Sequence, residues 1–166
     1  AVAMGGGPYY VEVPEIVNVQ LEGELPEWAT AKDIALEMLR RLSVKGGVGK
    51  IFEYTGEGAE SLTIPERTTI TNLGTELGAT SSIFETDEKT KDWLSRIGRE
   101  DEYVDLSADE DADYADTVTI DLSDLEPLIA QPSMPDNVVP VREVAGESVE
   151  QVMVGSCTNG AYEDIL

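Results

Sequence analysis

Three side chains stand out for the chemistry they could do. Cys157 is the single cysteine of 166 residues and lies in GSCTNG, residues 155–160. Ser148 to Val154 reads as a strand running into that motif, and a helix start is expected just beyond it. Unsatisfied backbone N–H groups at a helix start favour a thiolate, which is a nucleophile or a metal ligand. A lone cysteine equally fits a small buried apolar residue. The small residues on both sides of Cys157 are what would let something bulky approach the sulfur. Asn72 and Glu76, four residues apart, would stack on one face of a helix, offset from the apolar stripe of Ile70, Leu73 and Leu77. An amide and a carboxylate presented together bind a hydroxyl or a water and share its proton. An ordinary solvent-exposed polar face would show the same pair. GGVGK, residues 46–50, lacks the GxxxxGK[ST] spacing of a phosphate loop because Ile51 follows the lysine, and reads as a turn.

The elements that must position these groups alternate. Glu15 to Glu22 places Val17, Val19 and Leu21 on one side and Asn18 and Gln20 on the other, as in a half-buried strand. Thr30 caps a helix with Asp33 at its third position and Ile34, Met38, Leu39 and Leu42 on one stripe. Ile51, Phe52 and Tyr54 form the next strand, closed by a turn over Thr55 to Gly58. Pro65 opens a second helix that runs to Gly78. Ala79 to Phe84 is a short strand, and Thr86 caps a third helix carrying Trp93, Leu94 and Ile97. Thr117 to Leu122 is a further strand. Pro127, Pro132, Pro135 and Pro140 mark a stiff, extended connection. Strand and helix alternation of this kind signifies an α/β layer structure with helices packed on a sheet.

Composition closes several function classes. The chain carries 34 acids against 11 bases, a formal charge of -23, which disfavours sequence-independent binding to nucleic acid and to anionic membrane surfaces. No apolar run approaches the length of a membrane span. With no histidine, mechanisms needing an imidazole from this chain are excluded. One cysteine and no basic-then-apolar leader point to a cytoplasmic setting. Glu100 to Asp116 holds nine acids and no base. It lacks the central glycine and closing glutamate of a calcium loop, and reads as a solvated, mobile excursion. The acidic excess fits adaptation to high salt, an offset to a basic neighbour, or solubility. The start at Ala1 without methionine and the stop at Leu166 inside an incipient helix are expected of an excised piece of a longer polypeptide.

Several stretches together resemble the aconitase family: VKGGVGKIFEYTGEG, TTITNLGTELGATSSIF, ELPEWATAKDI and VGSCTNGAYEDI. The resemblance runs from about Val13 to Leu166. It implies a three-layer αβα sandwich of the aconitase iron-sulfur type, present in part. Residues 1–14 would come in from a first domain, 15–131 would form the family's second α/β domain, and 132–166 would connect to and begin its third. The implied reaction is the hydro-lyase isomerisation of citrate to isocitrate through cis-aconitate, on a [4Fe-4S] cluster held by three cysteines. Cys157 matches the first cluster ligand, with Asn159 beside it in the cofactor-binding motif. Asn72 and Glu76 match residues that line the reacting hydroxyl or water. The other two ligands and the remaining active-site residues belong to domains of the same polypeptide outside this stretch. The resemblance therefore implies an inactive fragment with no cluster bound on its own. Thr55 and Glu57 depart from residues common in relatives, and Thr71 replaces a cysteine that is not a ligand. The isopropylmalate and homoaconitate isomerases share GSCTN. The GATSS stretch and the extended acidic loop are read as favouring aconitase proper, the alternatives being a large-subunit fragment of those isomerases or a non-catalytic acidic binding domain.

Overall fold

The alternating apolar residues of the strands create one face that must be covered, and helices cover it. The computed structural model describes residues 4–8, 10–109, 111–156, 158, 160 and 162–165, with the backbone alone for 163 and 164. Strands β1 (Glu15–Glu22), β2 (Lys50–Thr55), β3 (Ser81–Phe84) and β4 (Asp116–Asp121) form a parallel sheet in the order β3-β2-β1-β4. Val17 and Val19 lie in register with Phe52 and Tyr54, and Leu21 with Ile120, so all six share the buried face. Helix α1 (Ala31–Leu42) lays Ile34, Met38 and Leu39 on it, and α3 (Ile64–Leu73) adds Ile70. The opposite face presents Ile16, Asn18 and Gln20 beside Ile51, Glu53 and Thr55, all half-buried or exposed. Tyr114 lies against Glu53 there, and burial together with the Glu53 charge holds its phenol above the usual tyrosine value. The α/β class and a sheet flanked by helices are as the sequence leads one to expect.

Several elements differ from expectation. The turn assigned to Thr55–Gly58 instead begins a short helix, α2 (Glu57–Ser61), seated on β1 and β2. It fits because a Cβ on Gly58 would stand 2.9 Å from the Leu21 backbone carbon, a contact only glycine avoids. Helix α3 stops at Leu73 rather than Gly78, and α4 (Glu88–Arg96) is capped by Asp87 rather than Thr86, because the Asp87 carboxylate accepts from the Thr90 amide. The extended connection folds back as an antiparallel hairpin of β5 (Leu128–Ala130) and β6 (Val138–Pro140), packed on α1. Asp33 ties the two together. One of its carboxylate oxygens accepts from the Thr30 amide at 2.7 Å and the other from the Leu128 amide at 2.7 Å. Ser148 to Val154 is not a strand, and Val149, Val152, Met153 and Val154 are exposed. Beyond it, α5 spans Tyr162–Ile165. The acidic stretch is mostly exposed, as expected of a solvated segment, although Glu110 lies outside the described residues. Its backbone is nonetheless tied down, since Thr86 bonds Val104 and Leu106 and the Glu85 carboxylate accepts from the Ala108 amide.

Buried charge is paired. Glu37, 2% exposed, accepts from Arg40 and Arg41. Arg67, also buried, pairs with Asp87 and lies over the Phe84 ring. Burial raises the carboxyl values of Glu37 and Asp87. The arginine hydrogen bonds, with the Thr90 amide at Asp87, outweigh that effect and hold both below their usual range. A depressed folded-state value means stability that is present above the unfolded value and lost as pH falls through the folded one. Glu37→Gln should therefore destabilise the chain at pH 7. Its gap from the wild type, measured by urea unfolding, should close as pH drops below about 4.5, the ordinary glutamate value. A gap constant from pH 7 to pH 3 would contradict the assignment.

Candidate functional site

The last turn of α3 and the turn that follows it carry Asn72 and Glu76. Leu77 is inserted in the core, and its carbonyl accepts from the Gly47 amide at 2.9 Å. Gly74 brings this turn against β3, where a Cβ would meet Ser82 Oγ at 2.4 Å. With Leu77 pointing inward, Glu76 is driven to the surface, while Asn72 is half-buried. The pair thus stands on a turn pinned from both sides, with Glu76 just beyond the helix that was expected to hold it. The Glu76 amide still donates to the Leu73 carbonyl at 3.0 Å, so the helical rise carries on locally.

The GSCTNG motif, though more than eighty residues away in sequence, meets this face. Asn72 Nδ2 donates to Thr158 Oγ1 at 3.2 Å, and Thr69 Oγ1 donates to the Thr158 carbonyl at 3.1 Å. Cys157 and Asn159, the two residues expected to serve the cofactor, lie outside the described residues. Thr158, between them in sequence, is the described residue of the motif that meets the Asn72 face. Sequence reasoning overlooked Thr69 and Thr158. Thr158 was visible within the motif, whereas nothing distinguished Thr69 from its threonine neighbours.

A [4Fe-4S] cluster needs several thiolates. This chain supplies one cysteine and no histidine. Among the described residues no group of three or more Cys, His, Asp or Glu could hold a metal ion. A single thiolate matches at most one corner of such a cluster. Elsewhere, a hollow of about 340 Å³ lined by Tyr54, Phe84, Asp87 and Arg67 lies near the start of α3, apart from Asn72 in its last turn. Among the described residues no helix is long and apolar enough to cross a membrane.

Residues 1–150 match the family model described as Aconitase family (aconitate hydratase). The chain is 43% identical over 165 residues to 3-isopropylmalate dehydratase large subunit 2 of Archaeoglobus fulgidus, covering 99% of this chain and 40% of the relative. It is 40% identical to large subunit 1 of Methanopyrus kandleri, over 99% of this chain and 39% of that protein. Large subunit 1 of Thermotoga maritima is 39% identical, with 99% of this chain and 40% of that protein covered. The chain thus spans about two-fifths of the length of these relatives. All three relatives are named as 3-isopropylmalate dehydratase large subunits.

Proposed function

The chain belongs to the aconitase family, and from that premise we propose that it is part of the large subunit of a hydro-lyase acting on a 3-isopropylmalate-type hydroxy acid. The carrying observation is the contact of Thr158, the residue after Cys157, with Asn72 on α3. Asn72 gives its amide N–H to Thr158, which leaves Oδ1 to accept from a substrate hydroxyl. Glu76, on the exposed turn beside it, would take or return the proton at the leaving or attacking oxygen. Cys157 would be one thiolate ligand of a [4Fe-4S] cluster. When bound, the cluster supplies an open iron that acts as a Lewis acid on the hydroxyl. The family resemblance that suggested citrate is better served by the dehydratase branch, given the names of the relatives. Those names are of large subunits, so a separate small subunit is proposed as a partner in completing the site.

The test is a cluster-loaded enzyme assembled from the full-length large subunit containing this chain and its small subunit, assayed on 3-isopropylmalate and on citrate. The expected result is a kcat/KM at least about 100-fold higher for 3-isopropylmalate, the discrimination that a few pocket contacts supply. A preference for citrate would overturn the substrate class. Full cluster occupancy with no turnover of either acid would overturn the hydro-lyase reading.

A further inference from the structure

Four threonines cluster on and just after α3, and their hydroxyls behave differently. Thr68 Oγ1 donates to the Ile64 carbonyl, Thr71 Oγ1 to the Thr68 carbonyl and Thr75 Oγ1 to the Asn72 carbonyl. Each returns its hydrogen bond three or four residues back, the usual behaviour of threonine in a helix. Thr69 alone of the four crosses to a residue 89 positions away, the Thr158 carbonyl. It sits one turn before Asn72, so both point from the same side of α3 and together hold Thr158 at its carbonyl and its hydroxyl.

We infer that Thr69 is a positioning residue: its hydroxyl holds the Thr158 carbonyl on α3 and so places Thr158 where it orients the Asn72 amide. This rests on the proposed function for its purpose but not for its geometry. A two-point clamp resists rotation of the loop about either bond alone. Thr158 Oγ1, fixed in this way, engages the N–H side of the Asn72 amide and leaves its oxygen out of this contact. The contact involves no reacting atom, so Thr69 acts through Thr158.

The test uses the 166-residue chain with methyl-labelled threonine. The Thr158 methyl resonance reports the docked population, between the limiting docked shift, obtained by cooling the wild type, and its shift in denaturant. One intramolecular hydrogen bond displaces such an equilibrium by about 2- to 12-fold. Thr69→Val should lower the docking constant by that factor, Thr69→Ser should restore it, and Thr71→Val, which loses only a local bond, should leave it unchanged. A docking constant unaltered in Thr69→Val, or lowered equally in Thr71→Val, would overturn the inference. If Thr69→Val unfolds the chain, Thr158→Ala provides the second reading: it removes the Asn72 bond and should shift the Asn72 side-chain amide resonances, and unmoved resonances would overturn the clamp. The failures are separable. A loop that loosens as expected in a protein with no hydro-lyase activity refutes the function and keeps the clamp. An unchanged loop in a working enzyme refutes the clamp and keeps the function.

Discussion

Glu76→Gln in the cluster-loaded enzyme is expected to lower kcat by about 10²- to 10⁴-fold, the contribution of a positioned general acid or base, while KM stays near the wild-type value. The amide has nearly the shape of the carboxylate and keeps its hydrogen-bonding reach, but it no longer accepts a proton at neutral pH. Glu76 is exposed on a turn whose anchor is Leu77, so folding should be untouched, within about 0.5 kcal/mol. Steady-state hydration of the unsaturated intermediate, followed alongside a thermal melt, separates the two. A kcat within about threefold of wild type would remove Glu76 from the proton-transfer role.

The largest stability effect should come from Phe52. It is fully buried at the centre of β2, in register with Val17 on one side and Ser82 on the other, beneath the helices that close the core. Phe52→Ala removes a whole ring from a packed interior that collapses only in part, at a cost of about 3–5 kcal/mol. Domains of this size are stable by about 5–15 kcal/mol in total. The variant should therefore unfold at a far lower urea concentration, or fail to fold. Ile83→Ala, on β3 with 41% of its surface exposed, should cost less than about 1.5 kcal/mol and serves as the control. Equal urea midpoints for the two variants would mean that the core lies elsewhere than between the sheet and α1.

The strands and helices that bury a full apolar pattern were legible in the sequence. Glu15 to Glu22 alternates without a fault and is β1 as expected, and Thr30 with Asp33 marks the start of α1. Helix α2 was hidden because its five residues carry no apolar stripe, and its place depends on what glycine lacks: Gly58 lets the backbone approach Leu21. The β5–β6 hairpin was masked by prolines that read as a linker, although Pro132 and Pro135 sit in its loop and Pro140 at a strand end, where no ladder N–H is needed. The segment 148–154, read as a strand, misled in the opposite sense, since a strand requires a neighbour to pair with and this one is exposed. At the candidate site, Asn72 and Glu76 were visible by spacing and by resemblance. The meeting of α3 with Thr158 was not, because no local pattern encodes a contact across 86 residues.

The carboxylate of Asp33, shared between the first turn of α1 and the amide of Leu128, links two segments that sequence keeps nearly a hundred residues apart. The hairpin it holds lies on the route from the sheet to the GSCTNG segment. Opening the hairpin removes one of the two backbone partners of Asp33 and leaves the other at the helix start. The hairpin and the first turn of α1 are therefore expected to loosen together, which hydrogen exchange at the Leu128 and Thr30 amides would report.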